Sequence, residues 1–172
     1  MQVFTFQLPV KKYIQKYLNT LHGQTIPAVM STDIGFVVLM TLSSRLEAQV
    51  SRGYNDQFFW ENSYKGQVTF TVPYHYFYLT KKELTKQTCI MLNRYFETKF
   101  EEDLSRFIDN FTVRGGKYKM AIRAFAETYR IEIDVDISFE GLKKMEYRFR
   151  KKNSEKFLCR LSPEINLYSK AS

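Results

Sequence analysis

The first regular feature of the chain is a period of two. From Gln2 to Leu8, the residues Phe4, Phe6 and Leu8 fall on one side and Val3, Thr5 and Gln7 on the other, the alternation of a half-buried strand. Pro9 is expected to end that strand. A helix is expected from Val10 to Leu21, with Tyr13, Ile14, Tyr17, Leu18 and Leu21 on one face, because proline is tolerated in a first turn, where its missing N–H has no partner anyway. His22-Gly23 should stop it. Gln67 to Val72 alternates again and also runs into a proline, Pro73. The similar segments Phe4 to Pro9 and Val68 to Pro73 are expected to pair antiparallel as a two-stranded ribbon, with its apolar face on the helices and Thr5, Gln7, Thr69 and Thr71 outward.

Elsewhere the apolar spacing is helical. Ser31, Thr32 and Asp33 offer capping side chains before Ile34 to Leu46, read as a helix buried on most sides. The segment from Arg52 to Asp56 marks a loop, and Phe58, Phe59 and Trp60 are either core or an exposed sticky patch. Thr80 followed by Glu83 has the pattern of a capping box opening a long helix, Lys81 to Phe111. Its apolar residues change face, from Leu84, Met91, Leu92 and Tyr95 to Phe96, Phe100, Leu104, Phe107 and Ile108. One helix should therefore touch two sets of partners.

Arg114-Gly115-Gly116-Lys117 breaks that helix, as a helix-ending turn or as a phosphate-cradling loop. Tyr118 to Arg130 then places Tyr118, Ala121, Ile122, Phe125 and Tyr129 on one face. Ile131 to Ile137 alternates with Glu132, Asp134 and Asp136 and reads as a connector or a brief strand, with Ser138 as N-cap of a last helix. In that helix Phe139, Leu142, Met145 and Phe149 share a face, and Lys143, Lys144, Tyr147, Arg148, Lys151 and Lys152 spread over the opposite one. The fold class expected is α+β, mainly α: a β-ribbon packed on helices, one long connecting helix and a C-terminal helix pair. Three regions follow: 1–111 as a packing or dimerisation unit, 112–160 as the basic helical unit and 161–172 as a tail.

Composition and charge narrow the function. Seven glycines and four prolines in 172 residues, with 44% hydrophobic residues, argue for an ordered core rather than disorder. Lys and Arg number 26 against 18 acids, which favours polyanionic partners. Half of that surplus of eight lies between Ser138 and Lys152, where six bases face two acids. A docked helix that shows Lys, Arg and Tyr outward suits a phosphate backbone or a major groove, with Arg148 as the best base-contact candidate beside Lys144 and Lys151. No apolar run reaches the ~20 residues that span a bilayer, and the N-terminus lacks the pattern of a signal peptide. No membrane partner and a cytoplasmic setting are therefore expected.

Ala121 to Ile131 and Phe139 to Lys152 together resemble the supporting and recognition helices of a helix-turn-helix. They are also similar to small basic helix-turn-helix proteins of bacterial phages and mobile elements, of Bacteroidetes among them. The likeness covers about a fifth of the chain, and the sequence departs from the usual tight turn in having about seven connecting residues, three of them acidic. It implies DNA as partner, with RNA still open, a regulator or accessory factor as role, a homodimer and, for a phage protein, the host cytoplasm. The site expected comprises Lys143, Lys144, Tyr147, Arg148, Lys151, Lys152, Arg114 and Lys117. The alternative is a structural or protein-interaction module whose basic helix is only solvated.

Catalytic equipment is sparse, and neither enzyme activity nor a cofactor or metal is expected. His22 reads as a carbonyl cap beside a helix-stopping glycine and His75 as packed among aromatics. Cys89 and Cys159 read as small buried hydrophobes. The carboxylates of Glu101-Glu102-Asp103 face different ways on a helix, and those of Glu132, Asp134 and Asp136 have no companion Lys, Glu or His pattern completing a nuclease site.

Overall fold

Three strands and five principal helices are laid out in a computed structural model that describes residues 3–43, 64–76 and 86–161, with side chains described for 3–42, 64–76 and 86–155. β1 (Val3–Val10) and β3 (Gly66–Pro73) pair antiparallel, with Phe4 opposite Val72, Phe6 opposite Phe70 and Leu8 opposite Val68. This register puts the two apolar rows on one face and sets Thr5 against Thr71 and Gln7 against Thr69 on the other. Phe6 stacks on Phe70, with ring centroids 5.3 Å apart, and Phe70 stacks in turn on Phe96.

Two features of the sheet differ from the sequence expectation. β1 continues through Pro9 to Val10, because it lies at the edge of the sheet, where a missing N–H costs no ladder bond. The Pro9 carbonyl instead accepts the Asn93 side-chain amide at 2.9 Å. Among the described residues the sheet also has three strands, in the order β1-β3-β2, since β2 (Thr25–Pro27) adds parallel to β3. Its single buried residue, Ile26, is too little to generate a periodic signal.

α1 (Lys12–His22) buries Tyr13, Ile14, Tyr17 and Leu18 and leaves Leu21 exposed. Gly23 ends it with φ 84°, donating its N–H to the Asn19 carbonyl. α2 (Asp33–Ser43) is capped by Thr32, whose hydroxyl accepts the Gly35 N–H at 3.1 Å. Gly35 is required there, since a Cβ would come within 2.2 Å of the Val29 carbonyl oxygen. Val38, Leu39 and Leu42 are buried, but Phe36 and Met40 are exposed, so α2 is apolar all round without being enclosed among the described residues. The loop at Arg52 to Asp56, the aromatic triplet from Phe58 and the Thr80–Glu83 capping pattern lie outside the described residues.

α3 (Lys86–Val113) joins the two halves of the molecule. Leu92, Phe96, Phe100, Leu104 and Ile108 are all fully buried. Their interval of four exceeds one helical turn, so the stripe winds round the helix by roughly 40° at each step. Its start meets the sheet through Phe96, and its middle meets α1 through Phe100, which packs against Tyr13 and Tyr17. Further along, Phe100 and Phe107 both meet Phe125 of α4 (Tyr118–Thr128) edge to face. α5 (Phe139–Leu161) docks on α3 and α4, and one cluster of buried side chains runs from Leu8 to Leu142.

Candidate nucleic-acid interface

The basic helix is positioned by its two neighbours and by the turn before it. Gly115, at φ 85°, and Gly116 end α3, with Gly116 N–H donating to the Phe111 carbonyl at 3.0 Å. A Cβ on Gly116 would strike the Phe111 ring, so the pair of glycines forms a packed helix-ending turn. α4 then buries Ala121, Ile122, Phe125 and Ala126. Its C-terminus closes with Ile131 N–H donating to the Ala126 carbonyl across Arg130, which holds φ 55°.

The acidic connector is a folded turn whose carboxylates have assigned work. The Asp136 side chain, only 3% exposed, accepts the Glu132 backbone N–H and lies 2.6 Å from Lys16 Nζ of α1. Glu132 pairs with the same ammonium at 2.7 Å, and the two hydrogen bonds, Asp136 first, raise the Lys16 pKa. Asp134, at φ 68°, accepts the Phe139 N–H at the start of α5. Ser138 accepts the Gly141 N–H at 3.0 Å, the N-cap its position suggested. Among the described residues no group of three His, Cys, Asp or Glu is arranged to hold a metal ion.

α5 docks through Leu142, which is fully buried, and through Glu146, which is 3% exposed. Glu146 accepts the Tyr118 hydroxyl at 2.9 Å and the Arg150 guanidinium, and Arg150 reaches on to Asp109 of α3 at 2.6 Å. This chain of Tyr118, Glu146, Arg150 and Asp109 ties three helices together. Phe139, Met145 and Phe149, expected to share the docked face with Leu142, are half-buried. Glu146 was legible only as an acid on a basic helix. The spacing of four from Leu142 was the signal for its burial, obscured because a carboxylate buries only with partners, and of its two, Arg150 lies on the same helix but Tyr118 lies 28 residues away.

All eight side chains expected in the site are exposed, but seven of them divide into two groups and Lys151 belongs to neither. Lys143, Lys144 and Tyr147 border a cavity of about 530 Å³ shared with Thr112 and Tyr118. Arg114 and Lys117 belong to the turn joining those last two residues, and thus sit at the same end of the unit. Arg148 and Lys152 lie on the other flank, where their charges act on Glu101 of α3. Burial and Glu97 nonetheless hold the Glu101 carboxyl above its ordinary pKa. Lys143 pairs with Glu140 at 3.5 Å and Lys151 with Glu155 at 3.9 Å, both between exposed side chains, where such pairs contribute little. Lys144, Arg148, Lys152, Arg114 and Lys117 form no ion pair among the described residues. The outer face of α4 adds Lys119 and Arg123, also exposed, to which the apolar periodicity of that helix gives no pointer.

Among the described residues no helix is long and apolar enough to cross a membrane. No protein-family model matches the chain, and neither a curated protein nor a solved structure matches it.

Proposed function

We propose that the protein is a non-enzymatic nucleic-acid-binding protein, with DNA as its first partner, that uses α5 as its contact helix. One observation carries the reading. The only acids in the Ser138–Lys152 stretch are turned to local use, Glu146 inward on Tyr118 and Arg150 and Glu140 beside Lys143, while Lys144, Arg148 and Lys152 stay exposed without ion-pair partners among the described residues. Cations held out from a docked helix are available to phosphates, whose neutralisation releases condensed counterions. A role as a regulator or accessory factor of a phage or mobile element, and action as a dimer, belong to the same proposal.

The test is binding to a double-stranded fragment across a range of salt. Affinity should fall steeply with ionic strength, and replacing Lys144, Arg148 and Lys152 by Gln should flatten the log–log slope by up to about 3, near 0.9 for each phosphate that is no longer neutralised. Substituted side chains so exposed leave the fold intact, which thermal unfolding verifies. An unchanged affinity and slope in the triple variant would assign the basic face to solvent and leave a protein-interaction module as the function.

A further inference from the structure

The cavity beside α5 has a composition that groove contact does not use. It opens between the C-terminal turns of α3, at Ile108 and Thr112, the start of α4, at Tyr118, and α5, and its walls are mainly apolar. Its floor is polar but internally satisfied. Glu146 takes the Tyr118 hydroxyl and Arg150, and the Thr112 hydroxyl donates to the Ile108 carbonyl at 2.9 Å. Its rim carries Lys143, Lys144 and Tyr147, the last with 65% of its surface exposed, together with Glu140, which pairs with Lys143 at 3.5 Å.

We infer that this cavity seats an unstacked nucleobase of a bound strand, with the base against the Tyr147 ring and the adjoining phosphate between Lys143 and Lys144. The inference rests on the proposed nucleic-acid function and adds that a single strand, or a duplex able to release a base, is the preferred form. Three features select this occupant. At about 530 Å³ the cavity exceeds a base and accommodates the attached sugar. An aromatic ring at the mouth of an apolar recess offers any base a π-face, which is how sequence-tolerant single-strand binding is built. At the rim Lys144, without an ion pair among the described residues, supplies positive charge where the phosphate must lie, Lys143 adds to it by giving up its weak exposed pair with Glu140, and the turn residues Arg114 and Lys117 extend the charge along the path of a strand.

The experiment compares one oligonucleotide, single-stranded and as a duplex, carrying a 2-aminopurine reporter, against the full chain and its Tyr147→Ala and Tyr147→Phe variants. The single strand should bind more tightly than the duplex and its reporter should be quenched on binding. Tyr147→Ala should weaken the single strand by roughly tenfold, the scale of removing one base–aromatic stack, and abolish the quenching. It should weaken the duplex far less than the single strand, and Tyr147→Phe should restore single-strand binding. Equal affinity for both forms, or equal weakening of both by Tyr147→Ala, would overturn the seat while leaving nucleic-acid binding in place. Free nucleoside monophosphate bound as tightly as the oligonucleotide would overturn it in favour of a small-molecule site. Absence of salt-dependent binding to either form would instead remove the proposed function beneath it.

Discussion

Arg130 holds a left-handed backbone at φ 55° so that α4 can end and Ile131 can turn back onto the core. An L-residue with a Cβ is strained in that region by about 1–2 kcal/mol, a cost glycine does not bear. Arg130→Gly should therefore raise the denaturation midpoint by an amount equivalent to about 0.5–1 kcal/mol, less than the full strain because glycine also loses more freedom on folding. A lower midpoint would reveal a contact of the Arg130 side chain that outweighs the strain. Glu101 carries strain of another kind, since burial and the Glu97 charge hold its pKa above the ordinary 4.5. An acid with a raised folded pKa adds stability below its unfolded pKa, and that contribution is lost as pH rises through the folded value. Glu101→Gln should accordingly raise the melting temperature at pH 7, and the gain should disappear as pH falls below about 4.5, where wild-type Glu101 is protonated too. A gain independent of pH would place its origin in packing rather than charge.

At the scale of elements, the docking of α5 rests on a polar joint as much as on apolar burial. Glu146→Ala removes a buried carboxylate together with its bonds to Tyr118 and Arg150 and should cost about 2–3 kcal/mol, softened because Arg150 is half exposed and regains water. Tyr118→Phe should cost about 1 kcal/mol, and the double variant should cost less than the two together, since both remove the same hydrogen bond. Strict additivity in urea unfolding would mean that the bond adds nothing. This joint also marks where the sequence stopped being readable. Period-two and helical apolar patterns showed where β1, β3, α1, α3 and α4 lie, because each buries its own alternating or periodic side chains against the core. Pro9 misled, because whether a proline ends a strand depends on whether the strand is at an edge. β2 was silent, being three residues with one buried side chain. The exposed bases of α5 were visible from its periodicity. Their division into a cavity side and a Glu101 side was not, because it depends on where α3 passes.

Across the whole molecule, the two halves are joined by more than the length of α3. Phe100 sits between Tyr13 and Tyr17 of α1 and Phe125 of α4, Tyr17 donates a hydrogen bond to Asp103 at 2.6 Å, and Lys16 holds the connector through Asp136 and Glu132. Burying one continuous cluster from the sheet to α5 makes partial unfolding costly, because opening either half exposes apolar surface of the other. Urea unfolding should therefore follow a single transition, with far-ultraviolet circular dichroism and tyrosine fluorescence changing together. Phe100→Ala, which empties the middle of the junction, should cost about 3–5 kcal/mol. Because Phe100 belongs to both halves, that destabilisation should shift the two signals equally rather than separate them. If the variant instead unfolds in two steps, with helical signal surviving the first, then α3, α4 and α5 hold together without the sheet. In that case the basic unit would be a separable module carried by the N-terminal half, and its nucleic-acid affinity should survive the first transition.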